Sequence, residues 1–150
     1  MESSVIAGQR TISERGASTA EKLIATACIL IYAAVVPALE LNATHVFDPL
    51  WTAHARLHEV WQLSTNSALG IWALWLVWSR GNIRLPSLLA LFVTGGFLFA
   101  YVVRSTYDGS MVLSDGSEKV AYGANLGLVA FGLVASIAML QLVFSRKFHT

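Results

Sequence analysis

The sequence predicts an all-α integral membrane protein, a four-helix bundle with both termini cytoplasmic. Four apolar stretches of 17 to 25 residues contain no charged side chain, and outside the chain ends nearly every ionisable residue falls at the ends of those stretches. A helix rising 1.5 Å per residue needs about 20 residues to cross the roughly 30 Å hydrocarbon layer of a bilayer. The composition agrees. With 55% apolar residues, 13% charged residues and a mean hydropathy of +0.60, too little polar surface is left to clothe a water-soluble globule of 150 residues.

Taken in chain order, residues 1–20 read as a polar arm with Arg10, Arg15 and no apolar run, unlike a cleavable secretory signal. The first span is expected at about 23–39. Pro37 near its exit has no N–H to give to the carbonyl four residues back, so the helix should kink or fray there, with a neighbouring helix or water satisfying that carbonyl. The second span is expected over 53–78, after two helix-start signals, Asp48 before Pro49 and then Thr52. Its 26 residues reach roughly 39 Å, about two turns more than the hydrocarbon requires, so its first residues stand in the outer interface. The third span is expected at 85–105 and the fourth at 119–144, the last long enough to tilt. Gly70, Gly95, Gly96, Gly123, Gly127 and Gly132 offer small surfaces for close helix approach. With no repeat and no Pro-, Gly- or Ser-rich linker, residues 1–150 read as a single membrane domain.

Orientation follows from Lys and Arg, which are retained on the cytoplasmic side. Arg10, Arg15, Lys22, Arg80, Arg84, Arg146 and Lys147 fall on the side of the termini, against Arg56, Arg104 and Lys119 opposite. The non-cytoplasmic side then holds Glu40, Asp48, Glu59, Asp108, Asp115 and Glu118 with His45, His54 and His58. Trp51 and Trp61 at one end, with Trp75 and Trp78 at the other, suit the two aromatic belts. The expected partner is the bilayer itself, and a net charge of +1 argues against nucleic acid. Cys28 is the single cysteine, so neither an intrachain disulfide nor a CxxC redox pair can form. Asn42-Ala43-Thr44 matches a glycosylation acceptor, but so close to the membrane the match carries little.

The densest chemistry lies between Thr44 and Glu59. His54 and His58 are four residues apart on a helix and share a face, which Gln62 and then Thr65 or Asn66 continue inward. Matching stripes are expected from Tyr101, Arg104 and Asp108 on the third span, and from Glu118, Tyr122 and Asn125 on the fourth. Because acyl chains cannot hydrate such groups, all the stripes are expected to turn inward around one outward-opening pocket. Arg104 has a plainer reading as a snorkelling side chain or a clamp to Glu40, Asp108 or Glu118. Asp108-Gly109 and Asp115-Gly116 read as turns.

The run Thr44-His45-x-Phe47-Asp48-Pro49-x-Trp51-x-x-His54-Ala55-Arg56-x-His58 resembles a motif of small four-span membrane families, which often have Asn in place of Asp48 and Pro in place of Ala53. The resemblance covers about 15 residues and the four-span layout, and implies an integral membrane protein with no assigned reaction. In layout alone the chain is also similar to the emopamil-binding sterol isomerase group, whose bundles hold lipophilic substrates beside buried acids.

Chemistry offers three readings. In the first, the pocket binds a small lipophilic ligand and exchanges a proton with it. His58 or His54 is the acid or base, Glu59 or Asp48 orients it, and Arg56 or Arg104 stabilises developing negative charge. His45, Gln62, Asn66, Tyr101, Tyr122 and Asn125 line the site. In the second, His45, His54 and His58 hold a divalent metal, completed by Asp48 or Glu59. In the third, the chain is a non-catalytic accessory or structural subunit. A proton-coupled pump is disfavoured, since no charge lies within any span.

Overall fold

Local chemistry sets each helix boundary in the computed structural model, which describes residues 17–146. Most of the expected polar arm, with Arg10 and Arg15, and Lys147 at the other terminus lie outside the described residues. Helix α1 (Thr19–Leu30) opens on a capping box, in which the Glu21 N–H donates to Ser18 Oγ (3.3 Å) and the Ser18 N–H donates to the Glu21 carboxylate (2.8 Å). It widens into a π turn, Ile31–Val35, where the Val36 N–H reaches back to the Ile31 carbonyl, and continues as α2 (Val36–Glu40). Pro37 explains the irregularity, since it brings no N–H to the Ala33 carbonyl. The hydroxyl of Ser67, on α3 (Ala53–Arg80), donates to that carbonyl instead, at 2.9 Å. The defect expected at Pro37 thus falls one turn earlier, and a neighbouring helix repairs it.

Of the two start signals for α3, Thr52 is the cap: its hydroxyl accepts the Ala55 N–H at 3.2 Å. Asp48 closes a turn in the preceding loop, accepting the Leu50 N–H at 2.8 Å. The helix ends at Gly81, whose φ of 61° is left-handed and whose N–H returns to the Leu76 carbonyl. The Asn82 side chain then accepts the Leu85 N–H (3.1 Å) to start α4 (Arg84–Val103), which tightens into a 3-10 turn at Arg104–Thr106.

The fourth span departs from expectation at its start. Residues 120–125 form a small antiparallel hairpin, β1 (Val120–Ala121) against β2 (Ala124–Asn125), with Val120 opposite Asn125. Tyr122 and Gly123 make the turn with φ values of 52° and 79°, the two left-handed residues that a tight hairpin demands. Helix α5 (Leu126–Arg146) begins only where Asn125 Oδ1 accepts the N–H groups of Gly127 (2.9 Å) and Leu128 (3.2 Å).

Helix α3 runs beside α1. Gly70 is buried against Ala33 so closely that any Cβ would strike the alanine methyl, and the Trp78 indole donates to Thr26 Oγ1 (3.1 Å) nearer the other end. On the second pair, α4 and α5, Phe97 and Phe131 meet edge to face with ring centres 4.7 Å apart. Ser87 Oγ donates to Gln141 Oε1 (3.0 Å), whose amide donates to the Glu21 carbonyl (3.2 Å), tying α4, α5 and α1 together. Ile29, Tyr32, Val77 and Val134 are buried in the common core. Gly95, Gly96 and Gly132 are not the close-approach points expected of them: a Cβ there would meet nothing within 4 Å.

The outside is as apolar as the inside, with Ile71, Phe92, Phe99 and Val102 all exposed. Water would oppose that surface and acyl chains would solvate it. Three helical segments, Thr19–Glu40, Arg84–Thr106 and Leu126–Phe144, are long and apolar enough to cross a membrane, as in a multi-pass membrane protein. Helix α3 is the longest, at 28 residues, but Gln62, Ser64, Thr65 and Asn66 make its first half polar.

Candidate functional site

Two separate histidine sites lie at the end of the bundle that carries the 41–52 loop. The first is built across three elements. His45 Nε2 lies 2.7 Å from Glu40 Oε2 at the end of α2, and Lys119 Nζ stands 4.0 Å from the other oxygen of Glu40. His45 Nδ1 is 3.0 Å from Thr44 Oγ1 and 3.2 Å from Asn42 Oδ1. Asn42 is itself held by the loop, accepting the Thr44 N–H at 2.7 Å and donating to the Leu39 carbonyl. Trp51 closes the remaining side, its ring edge-on to the imidazole at 6.0 Å. Despite the nearby Glu40, burial and then the Lys119 charge hold the imidazole below its ordinary pKa, against the opposing pull of Glu59 and Asp48. When Nε2 carries the ring proton it donates to Glu40, while the Thr44 hydroxyl donates to Asn42 Oδ1 at 2.8 Å. Asp48 is 1% exposed; Oδ1 holds the Leu50 N–H, while Oδ2 has no hydrogen-bond partner among the described residues.

The second site belongs to one helix. His54 and His58 stand one turn apart on α3, with their Nε2 atoms 3.0 Å apart and their rings nearly perpendicular at 83°. At that distance an N–H of one ring can donate to the bare nitrogen of the other. Both side chains are exposed. From His58 a cleft of about 320 Å³ runs along α3, lined by Trp61, Gln62, Thr65 and Asn66. Trp61 is tilted against the His58 ring, with centres 5.8 Å apart. The cleft opens sideways from the helix instead of facing the bundle core, since the buried positions of α3, including Leu63, Gly70 and Val77, occupy another face.

This separation corrects the expected single chamber. His45 is tethered to α2 through Glu40, while His54 and His58 project from the exposed flank of α3, so the three do not converge on a metal. No group of three His, Cys, Asp or Glu residues suited to a metal ion occurs among the described residues. Glu59 does not orient His58: one residue further on, it leaves the helix about 100° away, is half-buried, and interacts with His45 and Glu40. Asp48 likewise acts on His45 and the loop backbone, not on the α3 pair.

Several other expected site residues are employed locally. Arg104 donates to the Tyr101 carbonyl (2.8 Å) and lies over the Tyr101 ring at 3.9 Å, so these two occupy each other, and Arg104 clamps none of the expected carboxylates. Tyr122 is fully exposed at the hairpin turn. Asn125 caps α5 and donates to Glu118 Oε1 (3.0 Å) instead of descending into the bundle. Arg56 is half-buried with no ion pair among the described residues. Of the residues expected in one pocket, His58, Gln62 and Asn66 are brought together.

Glu40, Asn42 and Thr44 are the functional neighbours of His45 that sequence reasoning misses. The five-residue step from Glu40 to His45 has no helical period, so only the loop's turns could bring them together. The Asn42-Ala43-Thr44 tripeptide, whose match to a glycosylation acceptor carries little, is also the signal of an Asx turn. No protein-family model, curated protein or solved structure matches this chain.

Proposed function

We propose that the chain is a four-span membrane protein that binds a small lipophilic ligand in the α3 cleft, with both termini cytoplasmic and the cleft on the opposite side. The observation that carries this reading is the cleft itself: an indole, two amides, a hydroxyl and an imidazole gathered on one exposed strip of a long helix. At 28 residues, α3 is roughly 42 Å long, enough to span. A ligand arriving through the bilayer reaches such a cleft sideways. Its apolar body lies along Trp61, and its polar group meets Gln62, Thr65 and the His54–His58 pair. The resemblance of the Thr44–His58 run to four-span families belongs to the same proposal.

Acid–base conversion is the extension of that reading. With one extra proton on the pair, as an imidazolium beside an imidazole, His58 can give that proton to a ligand oxygen or nitrogen, which takes up the positive charge and leaves two neutral rings joined by one N–H. His45, Glu40 and Glu59 then serve as the scaffold that anchors the loop over the head of α3.

Mass spectrometry of the organic extract from detergent-purified protein, beside elemental analysis, tests the proposal. A stoichiometric lipophilic molecule is expected in wild type and lost in His58→Ala and Gln62→Leu, with no metal in either. Stoichiometric metal that disappears in both His54→Ala and His58→Ala would replace ligand binding with a metal site completed by a further donor. The same exposed strip favours a second reading, an accessory subunit whose stripe a partner helix covers. Co-purification of a protein partner that Gln62→Leu abolishes, with no small molecule bound, would select it.

A further inference from the structure

A second cleft lies at the opposite end of the bundle, where the chain turns from α3 into α4. It measures about 540 Å³ and is walled by Leu85 and Leu88 of α4 and by Met139, Leu142 and Val143 of α5, with Asn82 and Arg84 at its mouth. The same two helices are already tied to each other and to α1 by the Ser87–Gln141–Glu21 chain of hydrogen bonds. The cleft is thus an opening on the outer flank of two joined helices, with an apolar trough and a cationic rim.

Lys22, Arg80 and Arg84 lie at this end, and their partners differ. Lys22 lies over the Trp78 ring at 5.7 Å and Arg80 over the Trp75 ring at 5.0 Å. Arg84 has neither an aromatic nor an acidic partner among the described residues, is exposed, and borders the cleft. Beside it, Asn82 uses its side-chain oxygen to cap α4, leaving its amide hydrogens to be donated outward. A planar guanidinium and an amide at the head of an apolar trough match a phosphate ester followed by an acyl chain.

We infer that this cleft is a binding site for one anionic phospholipid, its phosphate held by Arg84 and Asn82 and an acyl chain lying between α4 and α5. A free phosphate would leave the trough open to water, and a neutral fatty chain would leave Arg84 unpaired; the phospholipid satisfies both parts. The bilayer supplies it without a separate source. Arg80, stacked on Trp75 and not among the residues lining the cleft, plays no part in this site.

Native mass spectrometry of the full chain in detergent, titrated with dioleoyl phosphatidylglycerol or with phosphatidylcholine of the same chains, provides the test. One phosphatidylglycerol per chain is expected to bind in preference to phosphatidylcholine. Arg84→Gln should weaken phosphatidylglycerol roughly fivefold, the effect of one interfacial basic residue, and leave phosphatidylcholine unchanged. Leu88→Trp, which fills the trough, should weaken both lipids. Arg80→Gln should change neither. Equal binding of the two lipids, or an equal loss from Arg80→Gln and Arg84→Gln, would show only diffuse surface charge and overturn the site.

Discussion

His45 and the His54–His58 pair sit at the same end of the molecule and are made of the same side chain, yet they are built in opposite ways. His45 depends on α2 for Glu40, on its own loop for Asn42, Thr44 and Trp51, and on the charges of Lys119, Glu59 and Asp48. The pair on α3 and the Trp61 ring beside it belong to two turns of one helix. A polar group surrounded by partners from several elements stabilises the arrangement of those elements; a polar pair left open on a helix flank is available to something outside the chain. The difference separates a scaffold from a candidate binding surface.

The strongest way to break the contrast is to push α1 from α3. Gly70→Val would drive a branched side chain into Ala33, and overpacking of this kind costs about 1–3 kcal/mol. Thermal unfolding in detergent should show that loss. NMR of labelled histidines should show the His45 signals displaced while the His54–His58 coupling survives. Unchanged His45 signals in a destabilised protein would mean that its surroundings do not need the α1–α3 contact.

Removing the repair at the π turn acts next. Ser67→Ala leaves the half-buried Ala33 carbonyl without its donor, a loss of about 1–2 kcal/mol, and should speed hydrogen exchange in the Ile31–Glu40 stretch. Equal exchange in wild type and variant would show that another group takes over.

Substituting the histidines themselves sharpens the contrast. His45→Ala should cost about 1–2 kcal/mol, because Glu40 and the loop lose their shared partner. His58→Ala, at an exposed position, should stay within about 0.5 kcal/mol of wild type while abolishing co-purification of the proposed ligand. Should the two variants unfold at the same temperature, the distinction between scaffold and surface would fail.

The smallest expected effect is on acid stability. Since His45 is held below its ordinary pKa when folded, the unfolded chain takes up the proton first. Its neutral state therefore supports the fold fully above about pH 6.5, and the support is lost as the pH falls from there toward the depressed value. Glu40, Lys119, Glu59 and Asp48 surround that titration. Wild type minus His45→Gln should show the slope; identical pH profiles would assign acid sensitivity to other groups.

Much of this was legible from residue order. The helical class, the close approach at Gly70, the Thr52 start and the disturbance near Pro37 follow from short-range chemistry: side-chain hydrogen bonds to nearby amides, a missing N–H, a missing Cβ. The i, i+4 pairing of His54 with His58 and the continuation to Gln62 and Asn66 follow from helical geometry in the same way. The hairpin at 120–125 was hidden, because Val120 to Asn125 carries no charge and blends into the apolar run behind it. Only the left-handed pair Tyr122–Gly123 breaks the helix there.

Sequence by itself determined which segments are helical, how apolar their surfaces are, and which histidines lie a turn apart, because these depend on neighbours within about four residues. Tertiary structure alone decided that α3 turns its polar strip outward, that Arg104 folds back on Tyr101, and that Glu40 and Lys119 close around His45. The physical reason is rotation about the helix axis. Periodicity defines a stripe, but packing against other helices selects whether that stripe meets the core or the surroundings, and Gly70 and Ser67 fixed α3 on the π turn that follows α1 with the imidazole pair left outside.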